Sequence, residues 1–130
     1  MAVCALDHIV LDVVDVKQSL DFYQRALGLS AERVEAWQRG EVGFPSLRIN
    51  ESTIIDLVSG SAGQSPARSN LAHFCLVTDS PNLDQAIQTL QAAGVAIETG
   101  PARRSGARGD ALSIYFRDPD KNLIELRTYG

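Results

Sequence analysis

Two histidines stand in matching apolar stretches of this chain: His8 in Leu6-Asp7-His8-Ile9-Val10-Leu11, and His73 in Leu71-Ala72-His73-Phe74-Cys75-Leu76, 65 positions apart in 130 residues. A lone imidazole in an apolar strand is usually a satisfied core group, but two at repeat-equivalent positions would meet in one cavity if the halves of the chain face each other. Glu125 is a third candidate, set among Leu123, Ile124 and Leu126. Burying a carboxylate in such surroundings is costly unless it is paired or bound to a cation. Period 2 puts Glu125 on the face of Leu123 and Arg127, directed either to solvent from an edge or into the interior. Two neutral imidazoles and one carboxylate form a facial ligand set that leaves coordination positions open for water or substrate. Asp56, in the closing strand of the first half, reads as a fourth ligand, a general base beside the ion, or an ordinary edge-strand acid.

Around these four stand residues suited to holding a substrate. Tyr115 and Arg117 share one face of the second-to-last strand, where Tyr115 could hydrogen-bond a substrate oxygen and Arg117 could steady a carboxylate or phosphonate; core packing and a surface charge are the plainer readings. Arg103, Arg104 and Arg108 fall in Gly100-Pro101-Ala102-Arg103-Arg104-Ser105-Gly106-Ala107-Arg108-Gly109-Asp110. This stretch is expected as a glycine-punctuated loop, either a lid holding an anionic group by charge-assisted hydrogen bonds or a solvated surface loop. Trp37 and Phe44 supply an apolar wall or plain core.

The elements that must position these groups repeat. Residues 4–14 read as a strand, Asp15 as the N-cap of a helix running to Leu27, with Leu20, Tyr23 and Leu27 on one stripe and Gly28 as its stop. Strand-like stretches follow at 31–37, 41–49 and 52–58. The polar segment from Ser59 to Pro66 reads as a linker. The second half opens with a strand at 71–78, then a helix from Ser80-Pro81 to Ala93 ended by Gly94, and strands at 95–98, 111–117 and 122–128. The last two are joined across Asp118-Pro119-Asp120-Lys121-Asn122, a strong turn signal. The predicted order β-α-β-β-β therefore occurs twice, in modules of about residues 1–62 and 67–130 of a single α+β domain.

Composition limits the function classes. A length of 130 residues, 45% of them hydrophobic, suits one compact domain. A formal net charge of −4 speaks against a general nucleic-acid binder, which gains affinity by neutralising phosphates. No apolar run reaches the roughly 18 to 20 residues a membrane helix needs, and no basic leader precedes an apolar segment, so a cytoplasmic protein is expected. The two cysteines, Cys4 and Cys75, lie in strand-like segments and are expected as buried packing residues.

These residues, together with Phe22-Tyr23, Leu27-Gly28-Leu29 and the run from Tyr115 to Leu126, resemble the vicinal oxygen chelate superfamily of glyoxalases, bleomycin-resistance proteins and extradiol dioxygenases. The stretch from Gly100 to Glu125 is similar to the glyoxalase-domain-containing, virulence-associated subgroup. The resemblance covers nearly the whole chain. It implies two tandem βαβββ modules whose mixed sheets curl around a metal cavity, usually in a homodimer. It also implies a divalent ion (Zn, Ni, Mn or Fe) on His8, His73 and Glu125, and a small substrate chelated through adjacent oxygens. Glyoxalases carry a further acid near the position of Asp56, but as Glu; the shorter Asp suits a three-ligand site of the fosfomycin-resistance kind at least as well. Lyase or isomerase chemistry is the first expectation, epoxide opening the second and ring-cleaving oxygenation the third. The rival class is a metal-free protein that sequesters an antibiotic.

Overall fold

The computed structural model describes residues 1–2, 4–59 and 71–130; most of the segment read as a linker, from Gly60 onward, lies outside the described residues. The chain forms two compact units that divide between residues 65 and 66. In the first, the order is β1 (His8–Asp12), α1 (Val16–Leu27), β2 (Ser30–Glu32), α2 (Val34–Gln38), β3 (Ser46–Arg48) and β4 (Ile54–Val58). In the second it is β5 (Phe74–Val77), α3 (Asp84–Ala92), β6 (Thr99–Arg104), β7 (Ala111–Arg117) and β8 (Leu123–Thr128). Each unit holds a four-stranded mixed sheet, in the orders β1-β4-β3-β2 and β5-β8-β7-β6.

The two sheets follow one plan. β1 runs parallel to β4 and β5 parallel to β8, and the remaining neighbours are antiparallel. Val10 lies opposite Asp56 and Cys75 opposite Glu125. The two carboxylates therefore occupy equivalent register positions on the strands next to those that carry or adjoin the histidines.

Helix α1 forms where its sequence directs. The Asp15 side chain accepts a hydrogen bond from the backbone N–H of Gln18 at 3.1 Å, and Gly28 ends the helix in the left-handed region at φ 67°. Its stripe of Val16, Leu20, Tyr23 and Ala26 is buried, and Leu47, Ile55 and Leu57 of the sheet are likewise nearly inaccessible to solvent. Each large side chain buried in this way stabilises the unit by roughly 1.5–3 kcal/mol. In the second unit Leu83, Leu90, Ile114, Phe116 and Ile124 play the same part. Among the described residues no helix is long and apolar enough to cross a membrane.

Several expectations need correction. The stretch 31–37 is not one strand: pairing stops at Glu32, Arg33 turns the chain in the left-handed region at φ 62°, and Val34–Gln38 is a short helix. Trp37 is thus a half-buried helix residue. Strand 41–49 shrinks to Ser46–Arg48, and the strand 95–98 is displaced to Thr99–Arg104. Half of the presumed arginine loop is therefore β6, and the true loop is Ser105–Asp110. The second helix starts at Asp84, not at Ser80-Pro81, with the Asn82 side chain accepting from the Asp84 N–H. Cys4 and Cys75 are free and exposed, not packing residues.

Candidate functional site

Each unit brings a histidine against a carboxylate. In the first, Asp56 is buried on β4, and its Oδ1 accepts a 2.6 Å hydrogen bond from the Ser46 hydroxyl on β3. Arg33 donates to Ser46 Oγ at 2.7 Å, reaches Asp56 Oδ1 at 3.6 Å and stacks 4.9 Å from the centre of the Phe44 ring. Asp56 Oδ2 is left facing His8 Nε2 at 4.0 Å. The other ring nitrogen of His8 lies 2.7 Å from Asp7 Oδ2. A carboxylate can only accept, so Nδ1 is the donor to Asp7, and in the neutral ring Nε2 presents its lone pair. The Asp7 bond, opposed by partial burial and assisted by the charge of Asp56, raises the His8 pKa above its ordinary value.

The second unit holds the tighter pair. Glu125, 5% exposed on β8, has Oε2 at 3.2 Å from His73 Nε2, and its Oε1 accepts from Arg127 Nη2 at 2.9 Å. Burial by itself would push the Glu125 pKa up; the neighbouring Ser113 hydroxyl, Arg127 and His73 outweigh it, and the carboxyl ionises below the usual range. His73 stands immediately before β5 with 41% of its side chain exposed, and the Tyr115 ring meets it edge-on at 5.9 Å. Arg104 lies 5.9 Å from the centre of the Tyr115 ring, on the side opposite its neighbour Arg103. The Cys75 thiol is pushed up to about 11, first by the protein packed around its sulfur and then by the Glu125 charge, so at neutral pH it is not a nucleophile.

The remaining expected substrate residues are distributed more widely. Arg103 is on the Leu112 face of β6, mostly exposed and 3.9 Å from Asp110. Arg108 stacks 4.1 Å from the Tyr129 ring, and its backbone N–H donates to the Tyr129 hydroxyl. Arg117 shares the Tyr115 side of β7, but its guanidinium is occupied by Glu98 at 3.0 Å and the Lys121 carbonyl. Trp37 is in the first unit, on α2. Ser113, Ser46, Arg33 and Asp7 were not singled out from the sequence, and Arg127 was placed on the Glu125 face without a role. Arg127 was legible in principle, because residues two apart on a strand share a face.

Donor spacing tests whether a divalent ion fits. Two protein donors each about 2.1 Å from one ion stand about 3.0 Å apart at a right angle and about 3.4 Å apart at a tetrahedral angle. The 3.2 Å between His73 Nε2 and Glu125 Oε2 falls between these values. The 4.0 Å between His8 Nε2 and Asp56 Oδ2 is too wide for both to serve as neighbouring ligands. Imidazole and carboxylate suit Zn, Ni, Mn and Fe alike. Among the described residues no group of three or more His, Cys, Asp or Glu is gathered as a metal cluster.

Residues 5–126 match the model of the Glyoxalase/Bleomycin resistance protein/Dioxygenase superfamily, and the chain belongs to that superfamily. It is similar to the virulence protein STM3117 of Salmonella typhimurium, with 35% identity over 99% of this chain and 87% of that protein. Among solved structures it resembles the integron cassette protein VCH_CASS1 from the mobile metagenome of V. cholerae. There the TM-score is 0.80 and the identity 35%, over 100% of this chain and 98% of the other. The fold is also that of a variant of the fosfomycin resistance protein FosX from Listeria monocytogenes, complexed with Mn(II) and a dihydroxypropylphosphonic acid. That likeness has a TM-score of 0.68 and 24% identity, over 97% and 90% of the two chains.

Proposed function

We propose that this chain is a divalent-metal-dependent enzyme acting on a small, anionic substrate that offers two adjacent oxygens, with lyase or isomerase chemistry of the glyoxalase kind. The observation that carries the reading is the His73–Glu125 pair, spaced for one ion, with the second carboxylate oxygen already held by Arg127. His73 and Glu125 are assigned as metal ligands and His8 as the third, its Nε2 lone pair free because Asp7 holds Nδ1. When bound, a divalent ion supplies Lewis-acid stabilisation of negative charge on substrate oxygens.

The chain's own groups do the rest. Tyr115, its ring set against His73, donates a hydrogen bond from its hydroxyl to a substrate oxygen. Arg104 beside it, with Arg103 and Arg108, contributes positive charge that attracts the substrate's anionic group; Arg117, tied to Glu98, contributes only to the field. Asp56 Oδ2, not used by Ser46, is the proton acceptor. Trp37 forms part of an apolar wall. Val10, Val77 and Leu112, large and exposed on β1, β5 and β7, support a homodimer as the working unit.

The FosX variant binds Mn(II) and a phosphonic acid, which supports both the ion and an epoxide-opening alternative. The test is metal analysis of the purified protein and of Glu125→Gln, followed by assays on a hemithioacetal and on an epoxide phosphonate. Stoichiometric metal that is lost in E125Q is expected. A wild-type protein that takes up no Mn, Co, Ni, Fe or Zn on titration, yet retains an antibiotic such as bleomycin, would refute the enzyme and favour sequestration.

A further inference from the structure

Arg127 is 2% exposed on β8 and makes more contacts than a surface arginine needs. Nη2 donates to Glu125 Oε1 at 2.9 Å, to the Ser105 carbonyl at 2.8 Å and to the Arg104 carbonyl at 3.3 Å. Nη1 donates to the Tyr129 hydroxyl at 3.1 Å and reaches the Gly109 carbonyl at 3.5 Å. Nε is buried and has no hydrogen bond among the described residues. The other two nitrogens bond to groups on different segments of the chain. One segment is the carboxylate facing His73. The other is the loop Ser105–Asp110, which follows Arg104 and carries Arg108.

We infer that Arg127 is a positioning residue that couples the loop to the His73–Glu125 pair: it fixes Glu125 so that Oε2 alone faces His73, and it does so only while the loop carbonyls hold the guanidinium. This rests on the metal reading above but goes beyond it, because it makes the order of an arginine-bearing loop a determinant of metal affinity. By linkage, an anion that orders the loop tightens the ion's binding, and the ion orders the loop in return.

Gly106, in the loop itself, gives a way to break the coupling without altering the side chains of Glu125, His73 or Arg127. A Cβ there would stand 1.6 Å from Arg127 Nη1 and 2.7 Å from the Tyr129 hydroxyl, so Gly106→Ala displaces the guanidinium while Glu125, His73 and Arg127 remain chemically intact. The backbone at Gly106 is outside the positive-φ region, so alanine adds no backbone strain. The experiment titrates Co(II) into the full chain by absorption and calorimetry, comparing wild type, G106A and Arg127→Lys. It follows amide exchange over 104–110 and the NMR signals of the His73 ring and Glu125 carboxyl. G106A is expected to weaken Co(II) binding about tenfold or more, the usual effect of disturbing a group that orients a ligand, and to speed exchange in the loop. R127K keeps the charge but cannot span both segments, so it is expected to behave likewise; it carries the test if G106A does not fold. Wild-type Co(II) affinity in a folded G106A and in R127K overturns the proposal. If the wild type takes up no Co(II), the metal reading fails separately. The coupling is then decided by the His73 and Glu125 signals: a shift in G106A sustains it, and unchanged signals overturn it.

Discussion

Replacing Glu125 by aspartate keeps the charge and removes only reach, which makes it the sharpest test of a chelating pair. His73 Nε2 and Glu125 Oε2 are 3.2 Å apart. Removing one methylene draws the carboxylate back by roughly 1.5 Å, a carbon–carbon bond length, and opens the gap to at most about 4.7 Å. An ion touching both donors at about 2.1 Å each could span at most about 4.2 Å, and that only with the three atoms in line. The protein already holds a comparison: in the first unit the acid at the equivalent register position is Asp56, and its gap to His8 is 4.0 Å. Glu125→Asp is therefore expected to lower Co(II) affinity by about 100-fold or more, equivalent to about 2.8 kcal/mol, with the loss appearing in the absorption titration as a missing tight phase. A thermal melt run alongside reports folding. A folded E125D binding Co(II) within about threefold of wild type would refute the spacing argument and leave the His73–Glu125 contact as an ordinary ion pair.

The other expectations concern what holds the site in place. Asp118 is buried in the β7–β8 turn, its Oδ1 accepting from the backbone N–H of Asp120 and Asn122 and its Oδ2 from the Asn122 amide; Asp118→Ala should cost about 2–4 kcal/mol in urea unfolding, and a loss below about 0.5 kcal/mol would show that the turn does not need this acceptor. Gly28→Ala meets no atom within 4 Å but must hold φ 67°, so a loss near 1 kcal/mol is expected in the same measurement. Arg48 donates to both oxygens of Glu32 and holds its pKa below the usual range, chiefly through that hydrogen bond. Because the folded carboxyl ionises at lower pH than the unfolded one, this stabilisation is present above the unfolded carboxyl's range and is lost as pH falls through the folded one. Arg48→Met should move the Glu32 carbon-13 titration midpoint upward; an unmoved midpoint would show that the pair is not formed.

Where the fold was legible, the reason is periodicity. The 65-residue offset located both histidine segments, and Asp15 and Gly28 marked the ends of α1 within a residue. Alternation gave β7 at residues 111–117, as observed. β6 was hidden because Gly100 and Pro101 read as loop punctuation. In the structure Gly100 is there for close approach: a Cβ would lie 2.4 Å from the Ser113 carbonyl oxygen. Pro101 is tolerated because β6 is the last strand in its sheet and needs no partner on its outer side. α2 was hidden because Val34 and Trp37 favour strands, and only the left-handed turn at Arg33, fixed by Ser46 and Phe44 from more than ten residues away, redirects the chain. The same kind of distance explains the site residues that were missed. Ser46 and Arg33 act through partners no local pattern reveals, whereas Arg127 was within reach of the period-2 argument already applied to Glu125.

Among the described residues, Asp56 is held by Ser46 and Arg33, and Glu125 by Arg127 and His73, partners from the same half of the chain as each acid. Duplication has thus left two acid–imidazole settings that can be retuned one at a time. A substitution at Ser46 or Arg33 would loosen Asp56 while leaving intact the Arg127 bond that holds Glu125, so the two acids of the proposed site can be adjusted separately.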